Sequence, residues 1–107
     1  MSLGSFNLRM NSYYGLATKV RALPGQHESL SAILEEVSRL VFDVPGCLSY
    51  TVSSVADDPD AMFITEFWET RESQQSAFSM AAIYEIAIKF HALSADMEQH
   101  ELQPLAN

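Results

Sequence analysis

The chain has 107 residues, and its composition is that of a single folded domain. Hydrophobic residues make up 48% of it and aromatic residues 10%, which is too apolar for a disordered segment. Fourteen acidic residues against six basic ones give a formal net charge of -8. This balance disfavours nucleic acids and anionic membrane surfaces as partners, because both recruit Lys and Arg.

The compartment and the domain limits are predicted from the same simple features. The N-terminus lacks the basic segment and apolar stretch of a signal peptide, and no apolar run approaches the roughly 20 residues that span a bilayer. Cys47 is the single cysteine, so an intramolecular disulfide and a cysteine zinc cluster are excluded. We therefore expect a cytoplasmic protein, with residues 1–12 as a loosely ordered lead-in and residues 13–107 as one domain.

The first third of the chain predicts a strand followed by an amphipathic helix. Tyr13 to Leu23 is rich in strand-forming residues and is closed by Pro24-Gly25. In the next segment the apolar residues recur at helical spacing on one face, namely Leu30, Ile33, Leu34, Val37, Leu40 and Val41. The helix should end at Asp43 to Gly46, because proline cannot continue the helical hydrogen bonds.

The middle of the chain predicts a β-hairpin. Cys47 to Ser54 alternates, which puts Leu48, Tyr50 and Val52 on one face and Cys47 on the other. After an acidic turn at Asp57-Asp58-Pro59-Asp60, the return strand Ala61 to Glu69 is apolar on both faces. Met62, Ile64 and Trp68 lie on one face, and Phe63 and Phe67 on the other. Strands that are buried on both sides have this pattern.

The last third predicts two helices and an edge strand. Arg71 to Met80 is a short polar helix, and Ala82 to Ser94 is a second helix. The buried face of this second helix consists of Ile83, Ile86, Ala87, Phe90 and Leu93. Met97 to Leu105 is a polar strand that Pro104 ends, which is typical of an edge position.

The predicted order β-α-β-β-α-α-β indicates an α+β fold. Its simplest arrangement is a ferredoxin-like, four-stranded antiparallel sheet with the helices on one face. The other face would then expose Phe63 and Phe67 together with their cross-strand neighbours. A second copy of the sheet is the simplest cover, so we predict a homodimer with face-to-face sheets.

The strand that ends in Trp-Glu carries the candidate site. Glu66 and Trp68 lie two residues apart and share a face with Ile64, beneath the helices and beside Tyr50. An apolar chamber with a carboxylate, a phenol and an indole N–H suits a small molecule, and burial would raise the pKa of Glu66 into the range of a general base. The alternative is structural: Glu66 pairs with a basic residue and Trp68 fills the core.

The histidines give weaker signals. His27 is predicted to be solvated, and His91 either complements the C-terminal dipole of the last helix or reaches the pocket mouth. His100 alternates with Leu102 and could face the chamber. No His, Asp or Glu pair has metal-ligand spacing, and the four glycines form no nucleotide-binding motif. We therefore expect neither a metal nor a cofactor.

Three segments together carry a family resemblance. Pro45 to Tyr50, the acidic turn Asp57 to Asp60, and Ile64 to Glu69 with its Trp-Glu end resemble the antibiotic-biosynthesis monooxygenase family. The resemblance covers about positions 14 to 105 and implies a dimeric α+β barrel that oxidises or rearranges small molecules, often without a cofactor.

The resemblance also suggests roles for single residues. For a monooxygenase of this family, we predict Glu66 and Trp68 as catalytic residues and Tyr50, Tyr84 and His91 as substrate-binding residues. Trp68 and Tyr50 would supply hydrogen-bond donors and stacking walls, and Tyr84 or His91 would form the rim of the pocket. The chain departs from the family at two places where many relatives carry histidine, because Ala77 and Ala82 stand there. Haem degradation is disfavoured as well, since Ala77 and about Ala87 replace the tryptophan and histidine of the haem-degrading members.

The leading functional hypothesis is a cofactor-independent monooxygenase acting on a quinol or polyphenol, with Glu66 as the base. One alternative is a metal-free isomerase of a small sugar-like or dicarbonyl compound. If its substrate were phosphorylated, it would need a cationic anchor from Lys19, Arg21, Arg71 or Lys89. The other alternative is a non-catalytic dimeric binding module, which the alanines at the two family histidine positions favour.

Overall fold

A computed structural model describes residues 13–106, so the predicted lead-in at residues 1–12 lies outside the described part of the chain. The elements in chain order are β1 (Tyr14–Ala22), α1 (His27–Phe42), β2 (Cys47–Val55), β3 (Asp58–Trp68), α2 (Arg71–Ser79), α3 (Ala81–Ala92) and β4 (Ser94–Leu102). This order confirms the sequence prediction. The bounds differ most at β4, which begins at Ser94 rather than Met97 and ends before Pro104.

The four strands form one antiparallel sheet in the order β2-β3-β1-β4. On β1, Leu16 lies between Glu66 of β3 and Glu101 of β4, and Thr18 lies between Ile64 and Gln99. The strand β4 is therefore an edge strand, as its polar sequence predicted, and the architecture is the ferredoxin-like α+β fold. Residues that lie directly opposite each other on neighbouring strands point to the same face of the sheet and can contact each other. Such a set of opposite residues is called a row below.

The helix α1 packs the predicted apolar stripe onto the sheet. Leu30, Leu34, Val37 and Val41 are buried, whereas Leu40 lies at the margin of the stripe and is 37% exposed. The turn after α1 requires a glycine at position 46. Gly46 has φ +91°, and a Cβ there would come within 2.5 Å of the Ser73 hydroxyl oxygen. None of the helices within residues 13–106 is both long and apolar enough to cross a membrane.

Two clusters of buried side chains fill the space between the sheet and the helices. One consists of Val20, Ala22, Leu30, Leu34, Met62 and Ile64. The other consists of Val37, Val41, Trp68, Ala77, Ile83 and Ile86. Met62, Ile64 and Trp68 therefore share the helix-covered face, as the alternation along β3 predicted.

The predicted faces at the start of β2 are wrong. Cys47 is paired with Trp68, but Ser49 is paired with Phe67, so β2 carries one extra residue at a β-bulge. The bulge interrupts the alternation: Cys47 packs against the core cluster of Trp68, and Leu48 is 48% exposed. Tyr50 and Val52, beyond the bulge, contact the core on the predicted side.

The hairpin turn is also tighter than its acidic sequence suggested. Val55 already pairs with Asp58, so the strand β3 begins inside the predicted turn. Both Asp58 carboxylate oxygens accept hydrogen bonds from the Arg21 guanidinium, at 2.8 and 2.6 Å. This bidentate pair, which holds the pKa of Asp58 below its usual value, attaches the beginning of β3 to β1.

Candidate active site

A cavity of about 540 Å³ lies between the helix-covered face of the sheet and the helices. Its floor is formed by side chains of all four strands, namely Thr18, Tyr50, Ile64, Glu66, Met97 and Gln99. Its remaining walls are mostly apolar side chains of the helices, including Leu34, Val37, Phe78, Ala87, Ile88 and Phe90. A concave, largely apolar space with a few polar groups is typical of a small-molecule site.

The cavity exists because α3 packs mainly against α1 and α2, and makes far fewer contacts with the sheet. The chain turns sharply between α2 and α3 at Met80, whose backbone is extended. Thr70 caps α2, since its hydroxyl oxygen accepts a hydrogen bond from the Ser73 N–H at 3.0 Å. The helices α2 and α3 therefore cover this face of the sheet without filling the space next to it.

Glu66 is the buried carboxylate of this cavity. Glu66 is only 5% exposed, and its carboxylate oxygen Oε1 accepts a hydrogen bond from the indole N–H of Trp68 at 2.8 Å. Both side chains lie on the same face of β3, two residues apart, so strand alternation itself creates this contact. We find no other side-chain hydrogen bond to Glu66 within residues 13–106.

Trp68 lies behind the cavity wall instead of lining the cavity. Its side chain is fully buried, packs against α1, α2 and α3, and meets Phe78 edge-on with 6.3 Å between ring centroids. The expectation that its ring forms a stacking wall for a ligand is therefore wrong. Its contact with the site is the N–H that orients the Glu66 carboxylate.

The structural alternative for Glu66, pairing with a basic residue, is wrong. In the described part of the chain, Arg21 pairs with Asp58, Arg71 with Glu101, and His100 with Glu98. Glu66 has no cationic partner among these pairs. The other half of that alternative is correct, because Trp68 does fill the core.

Burial raises the pKa values of Glu66 and Tyr50. Desolvation raises the pKa of Glu66, and the hydrogen bond from Trp68 offsets only part of that rise. Tyr50 is the cross-strand neighbour of Glu66, and burial together with the nearby carboxylate raises the pKa of its phenol. Tyr50 therefore keeps its proton and can donate a hydrogen bond into the cavity, whereas Glu66 is a stronger base than a solvated carboxylate.

Tyr84 and His91, the two residues expected at the pocket mouth, both line the cavity from α3. Tyr84 is 56% exposed and Ile88, one turn further along, is 53% exposed, so these side chains form the rim. His91 contacts Phe90 edge-on at 5.2 Å between ring centroids. The site residues Glu66, Tyr50, Tyr84 and His91 are thus brought together in one space, with Trp68 behind them.

His100 does not face the chamber, which corrects the sequence prediction. It pairs with Ala17 on the face opposite the helices, and its ring nitrogen lies 2.7 Å from the carboxylate of Glu98. The prediction failed because the register of β4 cannot be derived from a strand that is polar on both faces. The same register turns Gln99 toward the cavity instead.

Sequence reasoning missed three polar residues that line the cavity, namely Thr18, Gln74 and Gln99. Thr18 is 3% exposed, and its hydroxyl oxygen accepts a hydrogen bond from the Gln99 amide at 2.9 Å. A signal existed for Thr18, because it is the polar member of an otherwise apolar alternation with Leu16 and Val20. No comparable signal marks Gln99 in its polar strand.

Among the residues that the structure describes, the walls of the cavity contain no lysine or arginine side chain. None of the candidate anchors Lys19, Arg21, Arg71 and Lys89 is among the residues that line it. Within residues 13–106, no three His, Cys, Asp or Glu side chains are grouped so that they could hold a metal ion. The site is an apolar cavity with one buried carboxyl group and several hydrogen-bonding side chains, among them Tyr50, Thr18 and His91.

Comparison with known proteins identifies the family to which this chain belongs. The sequence model of the antibiotic biosynthesis monooxygenase family matches residues 14–85. The chain therefore belongs to that family, which confirms the resemblance inferred from its motifs. A search of curated proteins gave no match.

Solved structures support the same assignment. A proposed antibiotic biosynthesis monooxygenase from Chloroflexus aurantiacus is 40% identical, with 90% of this chain and 96% of that chain covered and a TM-score of 0.80. A mutant of SnoaB, a cofactor-independent oxygenase from Streptomyces nogalater, has 12% identity, 90% and 96% coverage and a TM-score of 0.79. A Pseudomonas aeruginosa protein has 21% identity, 91% and 98% coverage and a TM-score of 0.82. The last two likenesses concern the fold alone.

Proposed function

We propose that this protein is a cofactor-independent monooxygenase acting on a small reduced aromatic compound of the quinol or polyphenol type. The observation that carries the proposal is the buried carboxylate of Glu66, which the indole of Trp68 orients inside an apolar cavity. Family membership is consistent with this activity, since the family description names monooxygenases. The fold neighbour SnoaB is described as a cofactor-independent oxygenase.

The proposed reaction needs a base and a water-poor pocket, while the substrate supplies the electrons. Glu66 removes the phenolic proton, and the resulting phenolate transfers one electron to O₂. The aryloxyl radical and superoxide combine at a ring carbon that bears hydrogen, and the peroxide takes up a proton. Loss of water from this hydroperoxide then gives a quinone. In total, one ring C–H and one O–H are lost, one oxygen atom enters the product and the other leaves as water.

Two neighbouring groups support the developing charges in this scheme. Tyr50 keeps its proton because burial and Glu66 raise its pKa, so its O–H can stabilise the phenolate or the peroxide oxygen. Tyr84 and His91 are proposed to contact the substrate at the rim, where both line the cavity. The apolar walls keep water away from the radical pair.

The cavity walls formed by residues 13–106 contain neither Lys nor Arg, which argues against the phosphorylated form of the isomerase alternative. An isomerase of a phosphorylated compound needs a cationic anchor, but Arg21 and Arg71 are held by Asp58 and Glu101, and neither lines the cavity. A buried carboxylate would moreover repel a phosphate. We therefore propose an uncharged substrate, and the non-catalytic binding module becomes an outcome of the test below.

We further propose that the protein acts as a cytoplasmic homodimer in which two sheets pack through the Phe63 and Phe67 side of β3. Both side chains are half-buried on the face that the helices do not cover. The apolar character of that face at β3 supports the dimer, and the single cysteine supports a reducing compartment.

Oxygen uptake with 1,4-naphthalenediol in air tests the oxidation. We expect catalysed uptake above the spontaneous rate, and roughly 10²- to 10⁴-fold less of it in Glu66→Gln, as is usual for the loss of a general base. The control variant is Glu69→Gln, which removes an exposed carboxylate from the end of the same strand and should leave the rate unchanged. With ¹⁸O₂, one labelled atom should appear in the quinone product.

Two results would contradict the proposal. Hydrogen peroxide release without incorporation of label would identify a quinol oxidase instead of a monooxygenase. Binding of the diol by a protein that leaves the spontaneous rate unchanged would favour the non-catalytic binding module.

A further inference from the structure

The polar groups of the cavity floor lie in two sets. The first consists of Glu66 and Tyr50, opposite each other on β3 and β2. The second consists of Thr18 on β1 and Gln99 on β4, which are also opposite each other and are joined by the hydrogen bond of 2.9 Å. Ile64, the neighbour of Thr18 on its other side, separates the sets with an apolar side chain.

The hydrogen bond to Thr18 fixes the orientation of the Gln99 amide. Thr18 is almost completely buried, so its hydroxyl is a rigid acceptor for the amide N–H. Gln99 lies on the edge strand β4 and is exposed, so its amide oxygen, which points away from Thr18, is open to solvent. No side chain within residues 13–106 donates a hydrogen bond to this oxygen, so a ligand would only have to replace water there. A side chain that is held at one atom, with its second polar atom free at a cavity wall, is organised to bind a ligand.

The spacing of the two sets defines the length of that ligand. Gln99 and Ile64 lie on either side of Thr18 in one row of the sheet, so two strand spacings, about 10 Å, separate their backbones. Glu66 is the next residue on the same face of β3. A ligand that reaches from Glu66 to Gln99 must therefore be elongated, with a polar group at each end and an apolar middle.

We propose that Gln99 is a substrate-binding residue that selects aromatic compounds carrying a second, uncharged hydroxyl group at the end remote from Glu66. Thr18 acts as its positioning residue. A hydroxyl suits the site because it can donate to the amide oxygen of Gln99, whereas a carboxylate or phosphate would find neither Lys nor Arg among the described residues of the cavity walls. The inference takes its substrate class from the proposed function, but it concerns recognition and does not require turnover.

Two probes test the proposal by isothermal titration calorimetry under anaerobic conditions, where the absence of O₂ prevents their oxidation. The probes are 2-naphthol and 2,6-naphthalenediol, which differ by one hydroxyl group at the far end of the ring system. We expect the wild-type protein to bind the diol roughly three- to tenfold more tightly, the usual value of one neutral hydrogen bond. Gln99→Leu should bind both probes equally.

Variants at Thr18 distinguish positioning from general damage to the fold. Thr18→Val keeps the shape of the side chain but removes the acceptor, and it should reduce the preference for the diol. Thr18→Ser keeps the hydroxyl group and should retain the preference of the wild-type protein for the diol. Gln75→Leu, an exposed glutamine of α2 outside the cavity, should behave like the wild-type protein.

The proposal is overturned if the wild-type protein does not prefer the diol, if it binds neither probe, or if Gln99→Leu keeps the preference. Its failure is distinguishable from failure of the proposed function. Loss of the preference with retained oxygen uptake would remove only the role of Gln99. A retained preference without oxygen uptake would remove only the oxidation.

Discussion

The two faces of β3 have similar sequences but different surroundings. On the helix-covered face, Met62, Ile64, Glu66 and Trp68 are between 0% and 5% exposed. On the open face, Phe63, Thr65 and Phe67 are only half-buried. A strand that is apolar on both faces requires cover on both, and the described residues supply it on one. The candidate site is therefore built within one chain, whereas cover for the opposite face would have to come from the proposed dimer.

The open face is less uniformly apolar than its β3 residues suggest. Phe63 has Lys19 and Ser53 as cross-strand neighbours, and the edge strand adds Glu98 and His100. The ring of Phe67 lies across Gly15, where an added Cβ would be 2.6 Å from it. Any interface between two sheets should therefore be centred on β3, with the charged residues of β4 at its margin.

A glutamate placed on either face of β3 should give the largest effects, and a different one on each face. Phe67→Glu would place an unpaired charge in the proposed interface, and we expect the dimer to weaken by roughly a hundredfold or more while each monomer stays folded. Ile64→Glu would place the same charge in the core and should unfold the protein. Light scattering coupled to size-exclusion chromatography and circular dichroism would measure the two effects.

An exposed aromatic residue provides the control for this pair. Phe42 at the end of α1 is 77% exposed, so Phe42→Glu should change neither the mass nor the fold. A wild-type protein that elutes as a monomer at micromolar concentration would refute the proposed dimer, as would a Phe67→Glu variant that still dimerises normally.

Trp68→Phe should have an effect of intermediate size. It tests both the stability that Trp68 contributes to the core and its influence on the pKa of Glu66. Loss of the indole N–H leaves Oε1 of Glu66 without its donor, which costs about 1–3 kcal/mol of the free energy of unfolding. Because that hydrogen bond lowers the pKa of Glu66, its loss should raise this pKa further. The acidic limb of the kcat/KM profile should then move to higher pH.

The neighbouring core residue Ile83 gives a matched control for Trp68. Ile83→Val removes one methylene group from the same cluster and should cost about 0.5–1.5 kcal/mol without moving the pH profile. Urea unfolding and initial rates between pH 5 and pH 9 measure both quantities. An unmoved acidic limb in Trp68→Phe would show that Glu66 is not the titrating base.

The smallest expected effect is the pH dependence of stability that Glu66 contributes. Burial raises its folded-state pKa above the ordinary value of 4.5, so the folded state retains the proton at a pH where the unfolded state has lost it. The stabilisation by protonated Glu66 is complete below the ordinary pKa and is lost as the pH rises through the folded-state pKa.

Glu66→Gln should therefore become more stable relative to the wild-type protein as the pH rises above 4.5. Urea unfolding of both proteins at several pH values would measure the difference in the free energy of unfolding. Glu69→Gln, at an exposed position, should give no such trend. If the difference in the free energy of unfolding did not depend on pH, burial would not raise the pKa of Glu66.

The general architecture and the main site residue could be predicted from local sequence patterns. The helical spacing from Leu30 to Val41 identified α1 and its buried face, and alternation from Met62 to Trp68 placed Glu66 beneath the helices. These patterns are reliable because each element must turn its apolar side chains toward one core. The position of a carboxylate within such a pattern is sufficient to predict a buried acid.

The residues that surround Glu66 depend on strand register, which local sequence patterns do not give. One extra residue at the bulge exchanged the positions of Cys47 and Leu48, and the register of β4 turned Gln99 toward the cavity and His100 away from it. Hydrophobic alternation fixes the register of a strand only where one of its faces is apolar. The sequence of β4 is polar on both faces, so its pairing with β1 had to determine which of its side chains reach the site.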